Sequence, residues 1–341
     1  MNHTDSLSMI PRWEAPTPEE VGSTVEDFLV KLGEPTFLWL PGLETTRTRA
    51  VSTLLHGNEP SGVRALHRWI REGQQPQVNL LCFIGSIGAA LTDPLFSHRC
   101  APEGKDLNRC FRSPFEGREG IVAQAMLREL HRAQPEALID LHNTSGRSPA
   151  YGVTTLNGMM QETLTGIFCD HLIVTDLRLG SLMEATEKVW PTVTIEAGGA
   201  KDPKADDLAY RGLTRYANAM HLSDLSAPVT VAQHPIRVEL QKGATVAYDH
   251  APVPGADLTL PPDVDGLNFG ILPSKKRLGW VGARGLEALW AKDGTGQNLS
   301  PNIFSVHNGE LRLLHPSRLM MVTINQEIAQ SDCLFYILPD S

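Results

Sequence analysis

The chain has 341 residues, 41% of them apolar and 20% charged, with 29 glycines and 24 prolines. That composition excludes a disordered, collagen-like or disulfide-stapled chain and leaves room for one large domain or two ordinary ones. Thirty basic residues against 39 acidic ones leave a formal charge of −9, which repels a phosphate backbone and argues against a nucleic-acid partner.

Residues 1–20 lack a basic start followed by an apolar core, and the most apolar stretch, residues 79–91, is broken by Gly85 and Gly88. No signal peptide or membrane span is predicted, and no membrane partner. Five cysteines, Cys82, Cys100, Cys110, Cys169 and Cys333, form no CxxC pair, so the protein reads as cytoplasmic in a reducing compartment. Residues 1–35 are taken as an N-terminal extension. Short apolar runs bounded by turn residues then predict buried strands over 36–40, 50–55, 78–84, 137–141, 172–175 and 193–195. Apolar residues at three- and four-residue spacing predict helices between them, over 59–72, 119–133 and 206–222. The alternation implies an α/β domain over 36–225, a mostly parallel sheet flanked by helices. Beyond it, Ile236, Val238 and Leu240, then Leu311 and Leu313, then Met321, Val322 and Ile324 predict short strands among Pro- and Gly-rich stretches. Residues 226–341 therefore read as a smaller β-rich domain, with a short helix over 282–289.

Chemistry-bearing residues gather at the predicted strand ends, where α/β proteins build their sites. His56 and Glu59, in His56-Gly57-Asn58-Glu59, follow the strand at 50–55. An imidazole and a carboxylate at that spacing reach one ion if Gly57 lets the backbone turn sharply, and zinc favours such nitrogen and oxygen ligands. The strand at 137–141 ends in His142, a third ligand, with Asp140 two positions earlier on the same face. Three protein ligands leave one coordination position open, as catalytic zinc requires. A third strand ends in Glu196, a candidate general base, followed by Gly198 and Gly199. In Asp106-Leu107-Asn108-Arg109, the Asn108 amide and the Arg109 guanidinium fork suit a substrate carboxylate. Neither a GxSxG elbow nor a GxxxxGK[ST] phosphate loop occurs.

The order HGNE, DLNR, DLHNT, IEAG resembles that of the succinylglutamate desuccinylase and aspartoacylase family, a branch of the zinc carboxypeptidase-like hydrolases. The resemblance covers roughly residues 36–225. It implies one zinc per chain on His56, Glu59 and His142, Glu196 as the catalytic carboxylate, and Asn108 and Arg109 as substrate binders, joined by Asn143 of DLHNT. It implies too that residues 299–330 belong to a β-domain shielding the site mouth. The family's carbonyl-polarising arginine lies just before DLNR; here the choice is between Arg99 and Lys105, and Arg99 is preferred. Thr186, with Lys188 close by, stands where aspartoacylases carry a second arginine, and residues 321–330 hold no tyrosine. Acetylaspartate is therefore expected to be a poor substrate. The implied activity is removal of an acyl group from an N-acyl amino acid or related small amide. The alternatives are a carboxypeptidase or esterase on the same scaffold, or a metal-holding protein without turnover, against which Glu196 speaks. A homo-oligomer is left open.

Overall fold

The structure, a computed structural model, describes residues 10–176, 178–292 and 295–339. These form two compact units, the first holding the described residues up to Asn143 together with 150–231, the second holding 144–149 and those from Ala232 onward.

The first unit begins with β1 (Arg12–Glu14), α1 (Val25–Leu32), β2 (Thr36–Leu40), β3 (Glu44–Thr53), α2 (Ser61–Arg71), β4 (Val78–Ile84) and the short α3 (Ile87–Ala90). It continues with α4 (Gly117–Ala133), β5 (Leu138–Thr144), β6 (Tyr151–Thr154), α5 (Met159–Gly166), β7 (His171–Val174), α6 (Leu182–Thr186), β8 (Thr192–Gly199), α7 (Pro203–Asn218) and β9 (Thr230–Gln233). One nine-stranded sheet runs in the order β1-β2-β4-β3-β5-β8-β6-β7-β9. β3 lies parallel to both β4 and β5, whereas β2–β4 and β6–β8 pair antiparallel. Successive residues serve opposite faces, as the two-residue strand period requires. Val51, Cys82 and Ile139 join a core with residues of α1, α2 and α7, while Ala50, Leu81, Phe83 and Leu138 pack with Ala123, Met126 and Leu130 of α4. Burial on both faces explains why these strands read as continuous apolar runs.

Residues 10–35 are not an extension. β1 pairs with β2, placing Trp13 opposite Leu38, and α1 buries Val25, Phe28 and Leu29 in the first core. The large sheet also runs past residue 225, since β9 forms its last strand.

The second unit contains two five-stranded sheets. One orders Ile271–Leu272, Ser317–Met320, Phe335–Pro339, Ile236–Leu240 and Leu289–Lys292; the other orders Val246–Tyr248, Leu258–Leu260, Arg277–Val281, Glu310–Leu313 and Phe304–His307. The strand predicted at residues 321–324 lies earlier, because Met321 adopts a left-handed φ of 55° that ends it. The helix predicted over 282–289 is a single 3₁₀ turn, Gly285–Ala288. Buried Asp265 fastens the 144–149 segment, accepting from the Arg147 backbone N–H at 2.9 Å. Among the described residues no helix is long and apolar enough to cross a membrane.

Candidate metal centre and active site

β3 and β5 are parallel neighbours, so their carboxyl ends lie side by side. Leu54, at φ 56°, turns the chain sharply out of β3 and delivers His56 and Glu59. The sharp turn expected of Gly57 is thus made at Leu54. Gly57 serves close approach instead: a Cβ there would stand 2.6 Å from the Ala90 backbone nitrogen and 2.7 Å from the His98 carbonyl oxygen. His142 arrives from the end of β5, and His56, Glu59 and His142 are all buried, with one potential ligand atom from each within 4.8 Å of the others.

The two imidazoles are held alike. His56 Nδ1 lies 2.8 Å from Glu59 Oε1, and His142 Nδ1 lies 2.7 Å from Glu59 Oε2. Each Nε2 faces an aspartate: Asp106 Oδ1 at 2.9 Å from His56 and Asp140 Oδ2 at 2.9 Å from His142. An imidazole that donates from Nε2 to an aspartate turns the Nδ1 lone pair toward Glu59, itself an acceptor. Two acceptors at such distances require a positive charge between them, either a ring proton or a metal ion. Two imidazole nitrogens and a carboxylate, with aspartates fixing the rings from behind, fit zinc.

The electrostatics follow this arrangement. Burial opposes ionisation of Glu59, but His56 and His142 outweigh it and hold the carboxyl well below the usual range. Burial likewise opposes a charged His142, yet Asp140 and Glu59 raise its affinity for a proton well above the ordinary imidazole value. Glu196, on β8, behaves oppositely to Glu59. Burial first, and the Glu59 charge second, push its carboxyl up to about 8. Its Oε2 is buried and has no hydrogen-bond partner among the described residues.

Of the other predicted residues, Arg99 joins the group, its Nε donating to Asp106 Oδ2 at 3.0 Å and one terminal nitrogen reaching 3.5 Å from Glu59 Oε1. Lys105 is exposed and lines a cavity beside Arg109 instead. Asn108 is buried, and its Oδ1 accepts from the Leu182 backbone N–H at 2.9 Å, so that oxygen ties two segments together. Asn143, expected among the substrate binders, spends its amide on the protein. Its Oδ1 accepts from Ser61 N–H at 3.0 Å, and its Nδ2 donates to Ser61 Oγ at 2.9 Å and to the Gly198 carbonyl at 3.0 Å. It thereby caps the first turn of α2, whose own N-cap, Pro60, offers no side-chain acceptor. Thr186 is buried, its hydroxyl bonded within α6 and to Thr192 Oγ1, while Lys188 is exposed. Two roles were not assigned from sequence: Asp106 and Asp140 as holders of the ligand rings. Asp140 carried a signal, sharing a strand face with His142; Asp106 lies 50 positions from His56 and carried none.

Fold and site together define a class: a layered α/β protein with a His–Glu–His cluster that could hold a metal ion at the carboxyl ends of parallel strands. Residues 45–221 match the Succinylglutamate desuccinylase/Aspartoacylase catalytic domain. That match spans more than half of the chain, which belongs to this family of deacylating hydrolases. Among solved structures, a succinylglutamate desuccinylase/aspartoacylase from Rhodobacter sphaeroides superposes with a TM-score of 0.55 at 11% identity, covering 87% of each chain. The ectoine utilization protein EutE (DoeB) from Ruegeria pomeroyi gives 0.55 at 16% identity, covering 89% of this chain and 87% of the other. Succinylglutamate desuccinylase from Vibrio parahaemolyticus gives 0.53 at 15% identity, covering 87% and 82%. At these identities the likeness is one of fold. No curated protein sequence matches the chain.

Proposed function

We propose that this protein is a zinc-dependent deacylase that hydrolyses the amide bond of a small N-acyl amino acid, with His56, Glu59 and His142 as ligands and Glu196 as general base. The observation that carries the reading is Glu196: a half-buried residue whose buried Oε2 has no hydrogen-bond partner among the described residues, its carboxyl raised to about 8 and close enough to Glu59 and His142 to feel their charges. A group poised near neutrality can both accept and return a proton. When bound, zinc supplies Lewis-acid polarisation of water and of the scissile carbonyl. Glu196 takes the proton of the attacking water and hands it to the leaving amine. Arg99, anchored on Asp106, presents its positive charge where the carbonyl oxygen becomes negative. Arg109 receives the substrate carboxylate, and Asn108 holds the neighbouring backbone in place. Two of the structural neighbours are named succinylglutamate desuccinylases, which agrees with an acylated amino acid as substrate. Thr186 is buried where a second arginine would grip acetylaspartate, so that compound is a poor substrate.

The test is metal analysis of the purified protein together with hydrolysis of an N-acyl amino acid panel by wild type and Glu196→Gln. The variant keeps its zinc and loses turnover by a factor on the order of 10² to 10⁴. Undiminished turnover in E196Q, or a wild-type protein that takes up no zinc, overturns the reading.

A further inference from the structure

We infer that Asn143 is a positioning residue for Glu196, its side-chain amide setting where the end of β8 stands relative to the end of β5 and the first turn of α2. The inference deepens the proposed function and rests on its assignment of Glu196 as general base. β5 lies between β3 and β8 in the sheet, so a residue near its carboxyl end can reach the extensions of both neighbours. Asn143 does so. On one side its Oδ1 accepts from the Ser61 N–H at 3.0 Å and its Nδ2 donates to Ser61 Oγ at 2.9 Å; on the other the same Nδ2 donates to the Gly198 carbonyl at 3.0 Å. Its backbone N–H donates to Glu59 Oε2 at 3.3 Å. One buried residue therefore touches Glu59, the start of α2 and the strand that carries Glu196.

The amide is held in one orientation. The Ser61 N–H can only donate and the Gly198 carbonyl can only accept, so exchanging the Asn143 oxygen and nitrogen would break both contacts. The Ser61 hydroxyl is equally committed: it donates to Asp206 Oδ1 at 2.5 Å and so accepts from Asn143 Nδ2. Asp206 in turn accepts from Arg64 at 3.2 Å and belongs to the first turn of α7, the helix that follows β8. The chain of bonds thus leaves β8 at Gly198 and returns to the helix beyond it, fastening the end of the strand from both sides. Gly198, at a φ of 111° that favours glycine, lies where the backbone could otherwise yield. Glu196 stands two residues earlier, about 7 Å along the strand, so a displacement of Gly198 is passed to its carboxyl. Misplacing a reacting group by about 1 Å costs on the order of 10²-fold in rate, whereas losing a helix cap changes stability and leaves turnover per folded chain intact.

The test uses the zinc-loaded full-length protein, with N-acetyl amino acids as probes, at a temperature where circular dichroism finds every variant folded. Asn143→Ala lowers kcat about tenfold to hundredfold and leaves KM and zinc per chain at the wild-type level. In the Glu196→Gln background the same substitution lowers kcat no further, because the residue through which it acts is gone. Ser61→Ala keeps the Ser61 N–H, and with it the cap, but breaks the bond to Asp206; it lowers kcat about threefold to tenfold, the scale of one hydrogen bond. Crystal structures of wild type and N143A give a readout without turnover, in which the Glu196 carboxyl moves by about 1 Å relative to His142. A raised KM at unchanged kcat in N143A would make Asn143 a substrate contact, and a loss that persists in the E196Q background would make its effect independent of Glu196; either overturns the inference. If N143A does not fold, S61A carries both measurements, and unchanged kcat with an unmoved Glu196 overturns it there. Undiminished turnover in E196Q overturns the deacylase reading instead, and the crystallographic displacement still decides whether Asn143 positions Glu196.

Discussion

In the second unit, Arg237 and Glu239 of one strand meet Lys292 of the neighbouring strand and Asp332: Arg237 Nε lies 2.6 Å from Glu239 Oε1, Lys292 Nζ lies 2.6 Å from Glu239 Oε2, and Arg237 bonds Asp332. Two cations answer two anions. At the strand ends of the first unit, four carboxyls, Glu59, Asp106, Asp140 and Glu196, surround two imidazoles and the guanidinium of Arg99. The first network is electrically closed and serves to cross-link its sheet. The second sets four acidic groups against one fixed cation, a surplus that protons or a metal ion must balance, and the Glu196 carboxyl pushed up to about 8 is its local symptom. Burying charge without balance is costly, so the contrast separates a structural cluster from one that could hold a cation.

The comparison breaks most decisively at His142. His142→Ala removes one ligand and strips Asp140 of its partner, so the variant loses most of its zinc and with it turnover, as metal stoichiometry by elemental analysis will show. Full zinc occupancy in H142A would mean that the surplus charge is resolved elsewhere. Arg237→Ala probes the closed network. It leaves Glu239 and Asp332 without their shared cation and costs about 3–5 kcal/mol of stability in urea titration, while zinc per folded chain stays at the wild-type level. The smallest effect sharpens the picture inside the site. Asp106→Asn keeps an acceptor for the Asn108 N–H but loses the charge behind His56, so zinc affinity falls about 10- to 100-fold in chelator competition. Wild-type affinity in D106N would reduce Asp106 to an anchor for Arg99.

Much of the first unit was legible in the sequence because its information is local. Strands buried on both faces announce themselves as apolar runs between turn residues, and the core strands β2 and β4 fall where those runs predict. The N-terminal segment was misjudged because β1 has only three residues and gains its stability from pairing with β2, a contact that its own composition does not encode. Met321 shows the reverse limit: three apolar residues in four suggest a strand, yet one left-handed residue ends it.

The sequence by itself determined which side chains stand at the strand ends: His56, Glu59, His142 and Glu196 follow apolar runs, and a strand delivers whatever residue comes at its end. Tertiary structure alone decided what each neighbour does there. The sheet order that sets β3 beside β5 brought the Asn143 amide onto the first turn of α2. The fold likewise brought Asp106 behind His56 across 50 positions of chain. Side-chain hydrogen bonds act over about 3 Å in space, and only the packed chain fixes which residues come that close.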